Sequence, residues 1–237
     1  MVLVTSLALV LGSGYFAYTN EDLKDFISEN YNKYSTEVIK YVDEITTDNL
    51  TEETEKAIEY ADSLQDAIEE FEDSRTEINK EINQSTATTM TDLEMIKNSS
   101  LKDVVKQWAI RWDTVKEKFD DLNDYFLEVI QSSDQYFDKL FEIANKIQNE
   151  ELRNGEIESN TKLKNDWIKV LKETKINIDK LKVLIQEGDD FYRVLLGASI
   201  REKLTENIGE LNNISLKAEK LLSELQNLTE EGKKLAP

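Results

Sequence analysis

From residue 20 onward, apolar residues recur at spacings of three and four, the period of an amphipathic helix. The first such stretch carries Leu23, Ile27, Tyr31, Tyr34, Val38, Tyr41 and Ile45. Asn20 before Glu21 and Asp22 predicts its N-cap, with acids near the positive end of the helix dipole. Thr46 to Asn49 predicts a turn or a further cap. A second stripe runs through Ala57, Ala61, Leu64, Ile68, Phe71, Ile78 and Ile82, with Arg75 at one stripe position. The long Arg75 stem is expected to lie along the bundle with its charge in water. The run Gln84 to Thr91 is rich in Ser and Thr, which bond their own backbone and weaken helices. It predicts a loop, a hinge or a poor stretch of helix, with Thr91 and Glu94 as a capping box and Ser100 capping again.

The third stripe is the longest. It holds Leu101, Val105, Trp108, Trp112, Val115, Phe119, Leu122, Phe126, Val129, Tyr136, Leu140, Ile143 and Ile147, with Ser133 in a gap. Val104, Ile110, Leu127, Ile130, Phe137, Phe141 and Ala144 widen it. A two-stranded coiled coil needs only a narrow seam, so this helix is expected against more than one neighbour. Gly155 is expected to close it from the C′ position. A fourth helix uses Trp167, Leu171, Thr174, Ile178, Leu181 and Ile185, with Gly188 as its stop and Asp189 or Asp190 capping a fifth. That fifth helix runs through Leu195, Leu204, Leu211, Ile214, Leu221 and Leu228 to a stop at Gly232, with Lys233 and Lys234 at the negative end of its dipole.

The pattern therefore predicts an all-α chain: an elongated antiparallel helical bundle or coiled coil of about five long helices, preceded by an N-terminal hydrophobic helix. The expected organisation is residues 1–19 as a hydrophobic segment, 20–90 as an acidic helical hairpin, and 91–237 as a three-helix coiled-coil bundle. Scarce helix breakers agree with this. There are seven glycines, and the one proline is Pro237.

The first nineteen residues are a different material. They contain no charge, in a chain that is 33% charged overall. As a helix they would extend about 28 Å, against a hydrocarbon core of about 30 Å. Val2, Leu3, Leu7, Leu9, Val10 and Leu11 form the apolar body of a candidate membrane anchor, and Tyr15, Phe16 and Tyr18 an aromatic belt at the water interface. Gly12 and Gly14 also put small residues at the −3 and −1 positions of a signal-peptide cut before Tyr15. No Lys or Arg precedes the run, which departs from a normal signal start. Anchor and signal both stay open. Basic flanks stay inside, and the following flank has only Lys24, so the body is expected on the non-cytoplasmic side, membrane-anchored or secreted. Sequons at Asn49, Asn83, Asn98, Asn213 and Asn227 match the N-glycosylation acceptor of an exported chain. Asparagine, serine and threonine are common enough here for several to arise by chance.

The net charge of −20 argues against nucleic acid, which needs Lys and Arg to displace counterions. Residues 20–100 hold 22 acids against 7 bases, so the charge is concentrated in the first third of the body. With no cysteine and no histidine, common zinc sites and Ser-His-Asp or Cys-His mechanisms are excluded. No Gly-rich phosphate loop, calcium loop, cofactor site or small-molecule substrate site is legible. Trp108, Trp112, Phe119, Phe126 and Trp167 are the candidate core or interaction stripe, and core is the commoner role of such residues.

These observations leave three classes of function, none enzymatic. The first is a membrane-tethered or exported coiled-coil scaffold, spacer or adaptor. It would act through protein partners or through self-association by its heptad faces. The second is a membrane-inserting, pore-forming-toxin-like helical protein that uses residues 1–19. The third is a lipid-binding helical bundle.

Overall fold

The three-and-four spacing yields helix almost throughout residues 49–95, 100–201 and 208–236, which the structure, a computed structural model, describes. Among these residues the chain is all-α, with no strand and four helices: α1 (Asn49–Glu94), α2 (Leu101–Asn145), α3 (Glu150–Arg201) and α4 (Ile208–Leu235). The stripe predicted over Leu23 to Ile45 and the hydrophobic segment 1–19 lie outside the described residues.

The chain divides into two compact units. The larger takes residues 66–131 and 165–234, from all four helices. Its inter-helix bonds run in opposite senses along each neighbouring pair. Arg111 of α2 reaches Thr89 and Asp92 of α1, while Lys118 further along α2 reaches Glu77 earlier on α1. Trp108 and Trp112 meet α3 at Gly188 and Ile185 in turn. Lys217 of α4 pairs with Glu187 of α3, and Gly232 of α4 lies on Trp167 of α3. Arg75 and Asn83 of α1 meet Leu222 and Ser215 of α4. Each helix is antiparallel to the next, and α4 returns to α1, so this unit is an up-down-up-down four-helix bundle. α2 touches both α1 and α3, as its wide stripe predicts. Not all of that stripe is inside, since Ile110 and Leu127 are exposed.

In the smaller unit, described residues come from the start of α1, the end of α2, the start of α3 and the chain end at Leu235 and Ala236. Lys146, just past α2, is bound by Glu53 of α1. Asn160 of α3 donates to the Leu140 carbonyl of α2 at 3.2 Å. Lys164 of α3 sits over the rings of Phe137 and Phe141. These contacts again mark antiparallel neighbours. Burial of the Tyr136 ring in this unit pushes its hydroxyl pKa up to about 12.

Several expected breaks are not breaks. α1 continues through Gln84 to Thr91, where hydroxyls find acceptors or donors without breaking the helix. Thr86 donates to the Ile82 carbonyl at 2.8 Å, and Thr91 donates to Ala87 rather than capping a new helix. Ser85, Thr86 and Thr89 are fully buried, and the Thr89 hydroxyl accepts from Arg111 of α2 at 3.0 Å. Ser100 does cap α2, accepting from the Asp103 amide at 3.3 Å. α2 ends at Asn145, ten residues before Gly155, because Asn149 caps α3: its side chain accepts the Leu152 amide at 3.0 Å. Glu150 and Glu151 then occupy the first turn. Arg75 is also not in water. Its guanidinium is buried, held by Glu72 and donating to the Leu222 carbonyl of α4 at 3.3 Å.

Gly155, Gly188 and Gly232, each expected as a helix stop, all lie inside helices. An added Cβ at Gly155 meets nothing within 4 Å. Gly155→Ala should therefore stabilise the protein by about 0.5–1 kcal/mol, the ordinary propensity gain. Chemical denaturation would show this as a raised midpoint at unchanged slope. A drop in midpoint would mean that Gly155 ends a helix after all.

Candidate functional site

The candidate stripe lies in the bundle unit, and the structure buries all five of its residues. Trp108 and Trp112 project one turn apart from α2 and stack at 4.7 Å between ring centroids. Phe191 of α3 meets Trp108 edge-on at 5.2 Å, a favoured geometry for aromatic pairs. Each indole finds a backbone acceptor on α3. The Trp108 Nε1 donates to the Gly188 carbonyl at 3.1 Å, and the Trp112 Nε1 donates to Ile185 at 3.0 Å. The Trp112 ring reaches the α3 backbone because Gly188 has no side chain. A Cβ there would overlap the six-membered ring of Trp112.

Phe126 packs on Phe71 of α1 at 5.9 Å, and Phe119, two turns earlier on α2, is also buried. Trp167 has its own glycine: a Cβ at Gly232 would stand 3.2 Å from its ring. The stripe is thus interior packing and offers no surface to a partner. The sequence pointed to these rings but not to Gly188 and Gly232, whose scarcity and heptad register were the available signal.

Two openings adjoin the core. A void of about 10 Å³ in the smaller unit, lined by Ala57, Ala61, Tyr136, Lys139, Leu140 and Ile143, holds one water at most. An open groove of about 350 Å³ lies between α3 and α4 of the bundle unit. Val183, Leu184 and Leu221 line it, edged by Lys180, Lys217, Lys220, Glu187 and Glu224. Its Lys217 and Glu187 form an ion pair at 2.8 Å.

No protein-family model, no curated protein and no solved structure matches this chain. Among the described residues, no group of three Asp or Glu is placed to hold a metal ion. No helix there is long and apolar enough to cross a membrane.

Along α1, Glu55, Glu59 and Asp62 in the smaller unit, and Asp66, Glu69, Asp73 and Glu77 in the bundle unit, fall at helical spacing, and all are exposed. Of these only Glu77 is paired with a base among the described residues, Lys118 at 2.7 Å. In the smaller unit Glu142 is held below the usual carboxylate range by bonds from Lys146 and Lys139.

The remaining candidate residues are scattered. Val2, Leu3, Leu7, Leu9, Val10, Leu11, Tyr15, Phe16, Tyr18 and Asn98 lie outside the described residues. Asn49 is the first residue of α1. Asn83, Asn213 and Asn227 are exposed but sit in helix interiors, whereas the glycosylation sequon belongs to surface loops. The Thr229 hydroxyl of the last sequon is buried and bonded to the Leu225 carbonyl at 3.0 Å.

Proposed function

We propose that this chain is a non-enzymatic helical scaffold or adaptor, tethered to a membrane or exported through residues 1–19, that works by protein–protein contact. The observation that carries this reading is the contrast between a nineteen-residue uncharged start and a body that is one-third charged. A body whose aromatic stripe is used up in its own packing supports it, since the row of carboxylates along α1 remains outward. In this reading residues 20–45 add a further helix to α1–α4, making five, and the body stands on the non-cytoplasmic side.

The test is extraction from the native host. With residues 1–19 retained, the chain should stay in the membrane pellet through a carbonate wash, and deletion of 1–19 should release it. With those residues removed as a signal, the chain should be found outside the cell and begin beyond Gly14 on N-terminal sequencing. An uncleaved chain that washes off with carbonate overturns the proposal. Leakage of dye from liposomes that depends on residues 1–19 would replace it with the membrane-inserting reading.

A further inference from the structure

The inward seams of the helices are used up in the bundle, but α3 has a second seam facing outward. Lys172, Ile176, Asp179, Val183, Glu187 and Asp190 follow at spacings of three and four and share one face. None of them is buried. Ile176 and Val183, one heptad apart, are 53% and 56% exposed.

The charges on this face are ordered. Lys169 and Lys172 precede the apolar pair, and Glu187 and Asp190 follow it. Turn the helix end for end about a point between Asp179 and Lys180. Lys169 then exchanges with Asp190, Lys172 with Glu187, Ile176 with Val183, and Asp179 with Lys180. The face is complementary to its own antiparallel image, which is what a two-fold interface demands.

We propose that α3 pairs antiparallel with α3 of a second copy of this chain, across a two-fold axis between Asp179 and Lys180. Ile176 of the second copy meets Val183 at the mouth of the α3–α4 groove, above Leu184 and Leu221. Lys172 of the second copy meets Glu187, which already pairs with Lys217 and so sits in a mixed-sign cluster. The outer face of α1 is a poorer occupant. It offers α3 only carboxylates, with no apolar side chain to cover Ile176 and Val183. Two apolar residues per copy make a small contact, so the dimer is weak and fills with concentration. Its exposed charges make it open at high salt.

The inference rests on the scaffold reading only in taking protein contact as the mode of action. The absence of native cysteine makes the full chain testable by single-cysteine crosslinking. Asp179→Cys sits beside the proposed axis, where two copies bring their thiols within disulfide reach. Asp73→Cys on the outer face of α1 is the control. After oxidation, Asp179→Cys should give several-fold more disulfide-linked dimer than Asp73→Cys. Adding Lys172→Glu should lower that yield several-fold, and adding Glu187→Lys to the same chain should restore it. Circular dichroism of each variant checks that the helices persist. Equal crosslinking by the two cysteines, a swap that fails to restore the yield, or crosslinks only to a different protein would each overturn the pairing. A chain that resists carbonate yet fails these tests removes the dimer and leaves the tether in place.

Discussion

Gly188→Ala is expected to lower the stability of the protein by about 2 kcal/mol, although alanine is the better helix former. The propensity gain is about 1 kcal/mol. Against it stands the overlap of the new methyl group with the Trp112 ring. Overpacking a filled core costs about 1–3 kcal/mol, and more where the obstacle is rigid. An indole held by a hydrogen bond to Ile185 and stacked on Trp108 is such an obstacle. Coupling to Trp112 identifies the mechanism. A stop glycine changed to alanine would weaken the helix end and leave Trp112 indifferent. A seat for Trp112 predicts that Trp112→Leu relieves part of the damage, so the double variant should be more stable than the sum of the singles implies. Denaturant unfolding of the four proteins in this cycle checks it, and strict additivity would refute the seat.

Trp108→Ala should have the larger effect, a loss of about 3–5 kcal/mol. Trp108 is wholly buried, stacked on Trp112, edged by Phe191 and bonded to the Gly188 carbonyl. Its removal opens a cavity between α2 and α3 that the facing helix backbone cannot close. The loss is a large part of the roughly 5–15 kcal/mol that separates a folded domain from its unfolded chain. Trp108→Phe keeps most of the apolar contact and should lose markedly less. Thermal melting followed by circular dichroism would rank the three proteins. Equal melting of Trp108→Ala and the native chain would show that this ring is not part of the core.

The elements legible in the sequence are those set by periodicity. The seams of α1, α2 and α4 are where the three-and-four spacing puts them, and the width of the α2 stripe foretells two neighbours. Punctuation is what misleads. Gly188 and Gly232 look like stops because glycine disfavours helices by about 1 kcal/mol, but contact with a tryptophan outweighs that and cannot be seen one helix at a time. Thr86 and Thr91 look like breakers because their hydroxyls compete for backbone, yet a carbonyl one turn back satisfies them within the helix. Arg75 looks solvated because a lone charge in a seam usually is. Glu72, one turn away, is the clue to its burial. Gly155 is the louder signal by residue type, although Asn149 with two glutamates directly after it spells a helix start. The outward face of α3 is readable in principle, from Lys172 to Asp190. The inner stripe through Ile178, Leu181 and Ile185 is richer in apolar residues and masks it.

The row of carboxylates along α1 gives each molecule one strongly negative ridge. Bodies that approach ridge first repel one another, so random clumping is discouraged. At the isoelectric point of the chain, about pH 4.5, its net charge vanishes, and the same molecules are left free to flocculate in any orientation.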